Sequence, residues 1–515
     1  MKLKIKYLIV ALIAGLFVFS SCSVSIPPDY VTIDKVATIY PDYQGIVVPV
    51  NIAPLNFKIR DDADGYITRI TGDGGGEITV KGSKVQFNIK KWHQLLEANQ
   101  GKNLTVEVFL QKDEKWYKYR DIKIMVTSDV IDEYISYRLI QPSYIMYDEL
   151  SIRQRNITNF EERDIYNNTA IGDPRSKQCI NCHSYQNYKT NNMQFHVRKY
   201  DGGTLIVSDG VLRKVNIKTD NLISGGVYPA WHPTEKLIAY SVNNTGQRFY
   251  SKDLQKVEVL DTESDLVLFD MQKNEVTIIR NDSNAFETFP AWSPDGKTLY
   301  YASAYFEPIL KIPKSAEVSI KFKELKYDIF RLSFDPATKE FGKPELVFQA
   351  SALDKSATFP RISPDGNYLL FSMGDYGVFH IWHTSSDLIL MDLRTGNLDM
   401  MEKVNSDNVE SYHSWSSNGR WIIFSSRRDD GSYTRLYIAN FDHEGKWSKP
   451  FILPQKDPDF YSLFFKSFNV PEFMVEPVKL SVKDFAKSLQ GETIQTMYKG
   501  NYTSGAVEPD IDALY

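Results

Sequence analysis

The densest chemistry in this chain sits in one short run, Cys179-Ile180-Asn181-Cys182-His183. In a Cys-x-x-Cys-His run the two thiols are spaced to add across the vinyl groups of one haem, and the next imidazole is placed to ligate its iron from one face. The same pair of thiols can instead close a disulfide, or hold a metal with help from elsewhere. The 515 residues contain three Cys and only 8 His, so a histidine in that slot is not a product of abundance. A second axial ligand would set much of the redox behaviour, and the downstream candidates are Met193, in a polar stretch, and His196, in an alternating one. Against these stand plainer roles, a gap-filling Met and a hydrogen-bonded strand His.

Other histidines are weaker candidates. His380 and His383 share one loop, and His232 and His413 lie near the starts of repeated units, but no carboxylate or Cys completes a ligand set by spacing. No catalytic set emerges: there is no Gly-x-Ser-x-Gly, His-Glu-x-x-His, P-loop or dinucleotide fingerprint, so an enzyme is not the favoured reading.

Covalent haem attachment takes place outside the cytoplasm, and the amino terminus provides for export. Lys2, Lys4 and Lys6 precede an apolar run from Tyr7 to Phe19 that stops at Ser20-Ser21-Cys22. That run is shorter than the ~20 residues a spanning helix needs and has the flanks of a secretory signal. An uncleaved anchor is the alternative. Phe19-Ser20-Ser21-Cys22 resembles the lipobox of bacterial lipoproteins, which implies lipidation of Cys22 after removal of residues 1–21. Residues 22–39 read as a tether. No Asp follows Cys22 and there is no acidic run, which in that family implies the outer membrane, facing the periplasm. With Cys22 lipidated, Cys179 and Cys182 are the only pair left.

A net charge of −5 gives no basic field, so nucleic acid is not expected as a partner. Aromatic residues make up 13% of the chain, many in short alternating runs that read as strands. The expected fold class is all-β, in two or three domains. Residues 40–128 hold alternating stretches at Val47 to Val50, Glu77 to Val80, Lys84 to Ile89, Leu104 to Leu110 and Ile122 to Val126, expected to form a β-sandwich. Residues 129–192 read as a connector carrying the Cys-His motif, with helix within Tyr144 to Phe160 and irregular chain from Asn156 to Lys177.

Residues 193–515 contain four versions of one unit. They open at Tyr228-Pro229-Ala230-Trp231, Phe289-Pro290-Ala291-Trp292-Ser293-Pro294-Asp295-Gly296, Phe359-Pro360-Arg361-Ile362-Ser363-Pro364-Asp365-Gly366 and Tyr412-His413-Ser414-Trp415-Ser416-Ser417-Asn418-Gly419. Asp-Gly or Asn-Gly supplies the positive φ of a tight hairpin, and an apolar strand follows each. The unit resembles the TolB-like, or PD40, β-propeller repeat, most closely in its second and third versions. Thr234-Glu235 replaces Asp-Gly in the first, and Ser417 replaces Pro in the fourth. Four units cannot close a ring, so Gly203 to Ile217 is expected to add a blade and Tyr461 to Phe473 to close on it, giving six. The whole resembles Bacteroidota lipoproteins that join such a propeller to a haem c motif. This implies electron transfer or redox sensing with a protein partner docked on the propeller, or, with Cys179 and Cys182 bridged, an envelope scaffold binding protein or peptide.

Overall fold

The computed structural model describes residues 24–142, 145, 149–171, 178–253 and 255–501. The signal segment and Cys22 lie outside the described residues, as do 172–177 and the last residues of the chain.

The chain is all-β, and six sets of four antiparallel strands form a propeller, the second and third sets being joined in one ten-stranded sheet. The inner strands of blades 1 to 6 are Cys179–Gln186, Val227–Trp231, Ala285–Trp292, Ser356–Ile362, Glu410–Trp415 and Ser467–Met474. Each packs against the next, and the last against the first, so the ring is closed. The turn chemistry repeats as the sequence requires. Gly296, Gly366 and Gly419 take φ of 69°, 75° and 67°. The Ser before each turn caps it: Ser293 Oγ accepts from the Thr298 amide at 3.0 Å, Ser363 Oγ from Tyr368 at 2.9 Å and Ser416 Oγ from Trp421 at 3.0 Å. These bonds hold register where the hairpin reverses.

Blade 6 corrects the expected connector. Its outer strands are Tyr134–Ile140, Ser151–Asn156 and Glu162–Asn167, and Tyr134–Ile140 pairs antiparallel with Ser467–Met474 from the far end of the chain. Within the segments expected to be helical or irregular, Ser151–Asn156 and Glu162–Asn167 are thus strands. Their polar side chains escape the alternation rule because they are buried with partners: Arg155 donates to Gln455 Oε1 at 2.7 Å and to the Pro454 carbonyl at 2.6 Å. The Tyr461 to Phe473 segment accordingly closes on residues 134–140, not on 203–217. Gly203–Ser208 and Val211–Asn216 are outer strands of blade 1, whose inner strand is the Cys-His segment itself. Beyond blade 6 the chain runs back as Ile494–Gln495 and Met497–Asn501, adding parallel strands to the edges of blades 1 and 2 and so covering two exposed edges.

The amino-terminal unit is a seven-stranded sheet and a three-stranded sheet around one core. The strand expected over Lys84 to Ile89 ends at Val85, and a helix, Ile89–Ala98, begins where Asn88 caps the Lys91 amide. That helix buries Trp92, Leu95 and Leu96. The unit packs on blade 5: Asn56 donates to the carbonyls of Gln455 and Lys456, and Asp132 accepts from the amide and hydroxyl of Ser417.

Candidate functional site

Every inner strand carries a bulge, and in all six the residue in the bulge has left-handed backbone at the point where pairing with the neighbouring strand shifts. In blade order the six residues are Cys182, Tyr228, Phe289, Phe359, Tyr412 and Val470, with φ of 59°, 48°, 50°, 55°, 44° and 50°. Such φ is strained for a non-glycine side chain, and here it recurs because the bulge turns each side chain toward the axis. The Phe289 ring lies tilted against Phe359 at 3.9 Å and against Tyr228 at 4.3 Å between centroids, and Phe359 meets Tyr412 at 4.3 Å. The result is an aromatic collar around the axis, with Cys182 in the place an aromatic fills in the next four blades.

The Cys-His motif therefore lies on a strand at the centre of the ring, where the sequence pointed to a turn at the end of a connector. Cys182 and His183 line an axial cavity of about 50 Å³ bounded by the collar. Cys179 is turned into the apolar core with Ile180, Met193 and Phe195. Both thiols are unbridged. Burial pushes the Cys182 thiol pKa up, against the pull of Arg198 and the nearby Tyr228 amide.

His183 is 2% exposed, and neither ring nitrogen completes a hydrogen bond. Burial and the neighbouring Arg138 push its pKa down to about 3, so the imidazole is neutral. It faces the backbones of Ser136 and Val470 in blade 6, whereas the Cys182 thiol faces Tyr228 in blade 2. Met193 stands opposite Tyr185 in the core on the blade 6 side, the side His183 faces. His196 pairs with Asn181 on the other face, its Nδ1 3.1 Å from Thr204 Oγ1, which is the plain strand-histidine role. Of the two candidate second ligands, the structure brings only Met193 to the side of His183.

By type and order these residues could serve covalent haem, but Cys179 is turned into the core while Cys182 and His183 face neighbours on opposite sides, so the three donors do not converge on one space. Leaving a buried polar group without a partner costs ~1–3 kcal/mol, so such a group calls for one. The space beside them is smaller than a macrocycle, since ligand pockets begin near ~300 Å³.

Outward from the collar the axis opens into a mouth of about 420 Å³, walled by Trp231, Trp292, Trp415, Tyr185 and Tyr188 and by the prolines of the hairpin turns. Between mouth and inner cavity lies an ion pair the sequence did not reveal. Arg361 Nη2 of blade 4 reaches Glu472 Oε1 of blade 6 at 2.7 Å, and Ser414 Oγ of blade 5 donates to Glu472 Oε2 at 3.2 Å. Burial pushes the Glu472 pKa up despite Arg361. The signal that marks both residues is positional: each sits two after the collar residue of its own strand, Phe359 or Val470, immediately beyond Pro360 or Pro471.

The remaining histidines are structural. His232 Nδ1 accepts from the amides of Thr234 and Glu235, in the place where other blades use Ser. His413 Nε2 bonds the Leu370 carbonyl, and His383 Nε2 lies 3.1 Å from both oxygens of Glu258. Among the described residues no three His, Cys, Asp or Glu side chains are grouped to hold a metal ion.

No family model matches the chain, and no curated protein matches it. Solved structures of β-propeller type are similar to it at low identity. A prolyl endopeptidase is 10% identical with a TM-score of 0.30, over 62% of this chain and 42% of that one. The GH74 enzyme of Niastella koreensis is 12% identical with a TM-score of 0.36, over 61% of this chain and 45% of that one. The periplasmic gluconolactonase of Pseudomonas aeruginosa is 10% identical with a TM-score of 0.29, over 65% and 99%. The chain thus spans less than half the length of the first two.

Proposed function

We propose that this chain is an exported propeller of the TolB-like, PD40 kind, lipid-anchored through Cys22 to the periplasmic face of the outer membrane, and that it carries one haem c for electron transfer or redox sensing. The observation that carries the reading is His183: a buried, neutral imidazole on the propeller axis, inside a Cys-x-x-Cys-His run, with no well-formed hydrogen bond to either nitrogen beyond the approach of the Ser136 and Val470 backbones. Cys179 and Cys182 are the anchoring thiols, His183 the proximal ligand, and Met193 the better placed of the two second candidates. The bound haem supplies one-electron chemistry. The chain's own contribution is to keep His183 neutral by burial and to exclude water with the collar residues Tyr228, Phe289, Phe359 and Tyr412. About 50 Å³ does not admit the macrocycle, so the collar would have to part for haem to be held there. The propeller face docks a protein partner, and the net charge of −5 does not favour nucleic acid.

The test is a visible spectrum of the chain made together with haem-maturation machinery. A Soret band that survives acid acetone, and that is lost in the Cys179→Ala, Cys182→Ala variant, is the expected result. A chain with no covalent haem rejects the reading. It would leave the second one, an envelope scaffold binding peptide or protein in the 420 Å³ mouth, which that cavity favours.

A further inference from the structure

Arg361 is the one Arg or Lys among the described residues that line either axial cavity. The matching positions of the other blades hold Ser184, Ala230, Ala291, Ser414 and Glu472. Its side chain is 36% exposed toward the mouth, while that of Glu472 is 14% exposed. The pair therefore joins a cation that a visitor can reach to a carboxylate that has lost most of its water. A buried carboxylate gives up hydration in exchange for one ion pair, and such exchanges come close to balance. A carboxylate arriving from the mouth would bring Arg361 the same bidentate acceptor.

We infer that Arg361 is an anion receptor at the floor of the mouth, and that a carboxylate on a flat apolar or aromatic body is the ligand it takes, in place of Glu472. The size and the indole and proline walls of the mouth suit such a body, at 420 Å³ within the range of small-molecule sites. The carboxylate has two sources, a free ligand or a propionate of the chain's own haem. The second source rests on the haem reading above; the first does not.

The experiment uses the folded full chain without haem and two probes, indole-3-acetate and indole-3-acetamide, with affinity read by calorimetry. The acetate is expected to bind at least tenfold more tightly than the amide. Arg361→Gln is expected to erase that difference, and Glu472→Gln, which removes the competitor, to tighten acetate binding several-fold. Thermal melts establish that both variants are folded. Equal binding of the two probes, no binding of either, or weaker acetate binding by Glu472→Gln overturns the inference. In the haem-loaded chain, loss of acetate binding assigns Arg361 to a propionate, and unchanged binding assigns it to a free ligand. Absence of covalent haem defeats only the haem reading, because the first arm is measured without it.

Discussion

Cys182 and Tyr228 hold the same place in neighbouring blades, each in the bulge of an inner strand with left-handed backbone, and the thiol of the first lies beside the backbone amide of the second. The reactive motif is thus built into the propeller repeat itself. Its cysteine interrupts a collar that the next four blades complete with aromatic rings, which gives the axis one position with thiol and imidazole chemistry.

The collar should carry stability as well as shape. Phe359 is buried and touches the rings of both Phe289 and Tyr412. Phe359→Ala is expected to cost about 3–5 kcal/mol, read as a lower denaturant midpoint with an unchanged slope. A loss below about 1 kcal/mol would show that the rings do not pack as described.

Acid should weaken the fold through its buried histidines. Burial holds His380 and His413 near a pKa of about 3, below the unfolded value. Their contribution is complete above about pH 6.5 and is lost as pH falls toward 3, because the unfolded chain takes up protons that the folded chain refuses. Each adds a slope of about 1.4 kcal/mol per pH unit in that window. Denaturation from pH 7 to 4 checks this, and a flat profile contradicts it.

Glu287 predicts the opposite trend. Burial, with Asp265 and Asp282 nearby, raises its pKa to about 8 in spite of Arg280. A raised carboxyl favours the folded state below the unfolded pKa, near 4.5, and loses that contribution as pH rises through 8. Glu287→Gln is therefore expected to unfold at a higher temperature than the parent at pH 9 and to differ less at pH 5. Equal shifts at both pH values would refute the assignment.

The parts legible in the sequence were those where one repeat announces itself locally. Blades 2 to 5 follow from an aromatic-Pro or aromatic-His step, joined in blades 3 to 5 by an Asp-Gly or Asn-Gly turn whose capping Ser bonds explain why those residues recur. Blade 1 was legible only in its outer strands, from Gly203 to Ile217, and its inner strand was hidden because Cys182-His183 stands where the pattern expects an aromatic and a proline. Blade 6 was hidden because its strands come from opposite ends of the chain and bury Gln154 and Arg155, which breaks apolar alternation. An aromatic three residues past the collar position marks both: Tyr185 after Cys182 and Phe473 after Val470, as Trp231, Trp292 and Trp415 do elsewhere. The donors of the site were visible as a motif. The Arg361–Glu472 pair was not, because its members are far apart in sequence and meet only across the axis.

Ring closure depends on Ser467–Met474, which gives residues 134–167 their inner strand. A chain ending at residue 466 is expected to lose cooperative unfolding and to be cut by protease within 134–167, while the amino-terminal sandwich survives. A cooperative, protease-resistant truncation would mean that the ring closes elsewhere.

The central claim is that Cys179 and Cys182 hold haem on the propeller axis. Its most direct test is mass spectrometry of the peptide spanning residues 179–183, taken from protein made with haem-maturation machinery. The account predicts that peptide with one haem bonded through both sulfurs. Recovery of the peptide with two free or mutually bridged thiols would contradict it.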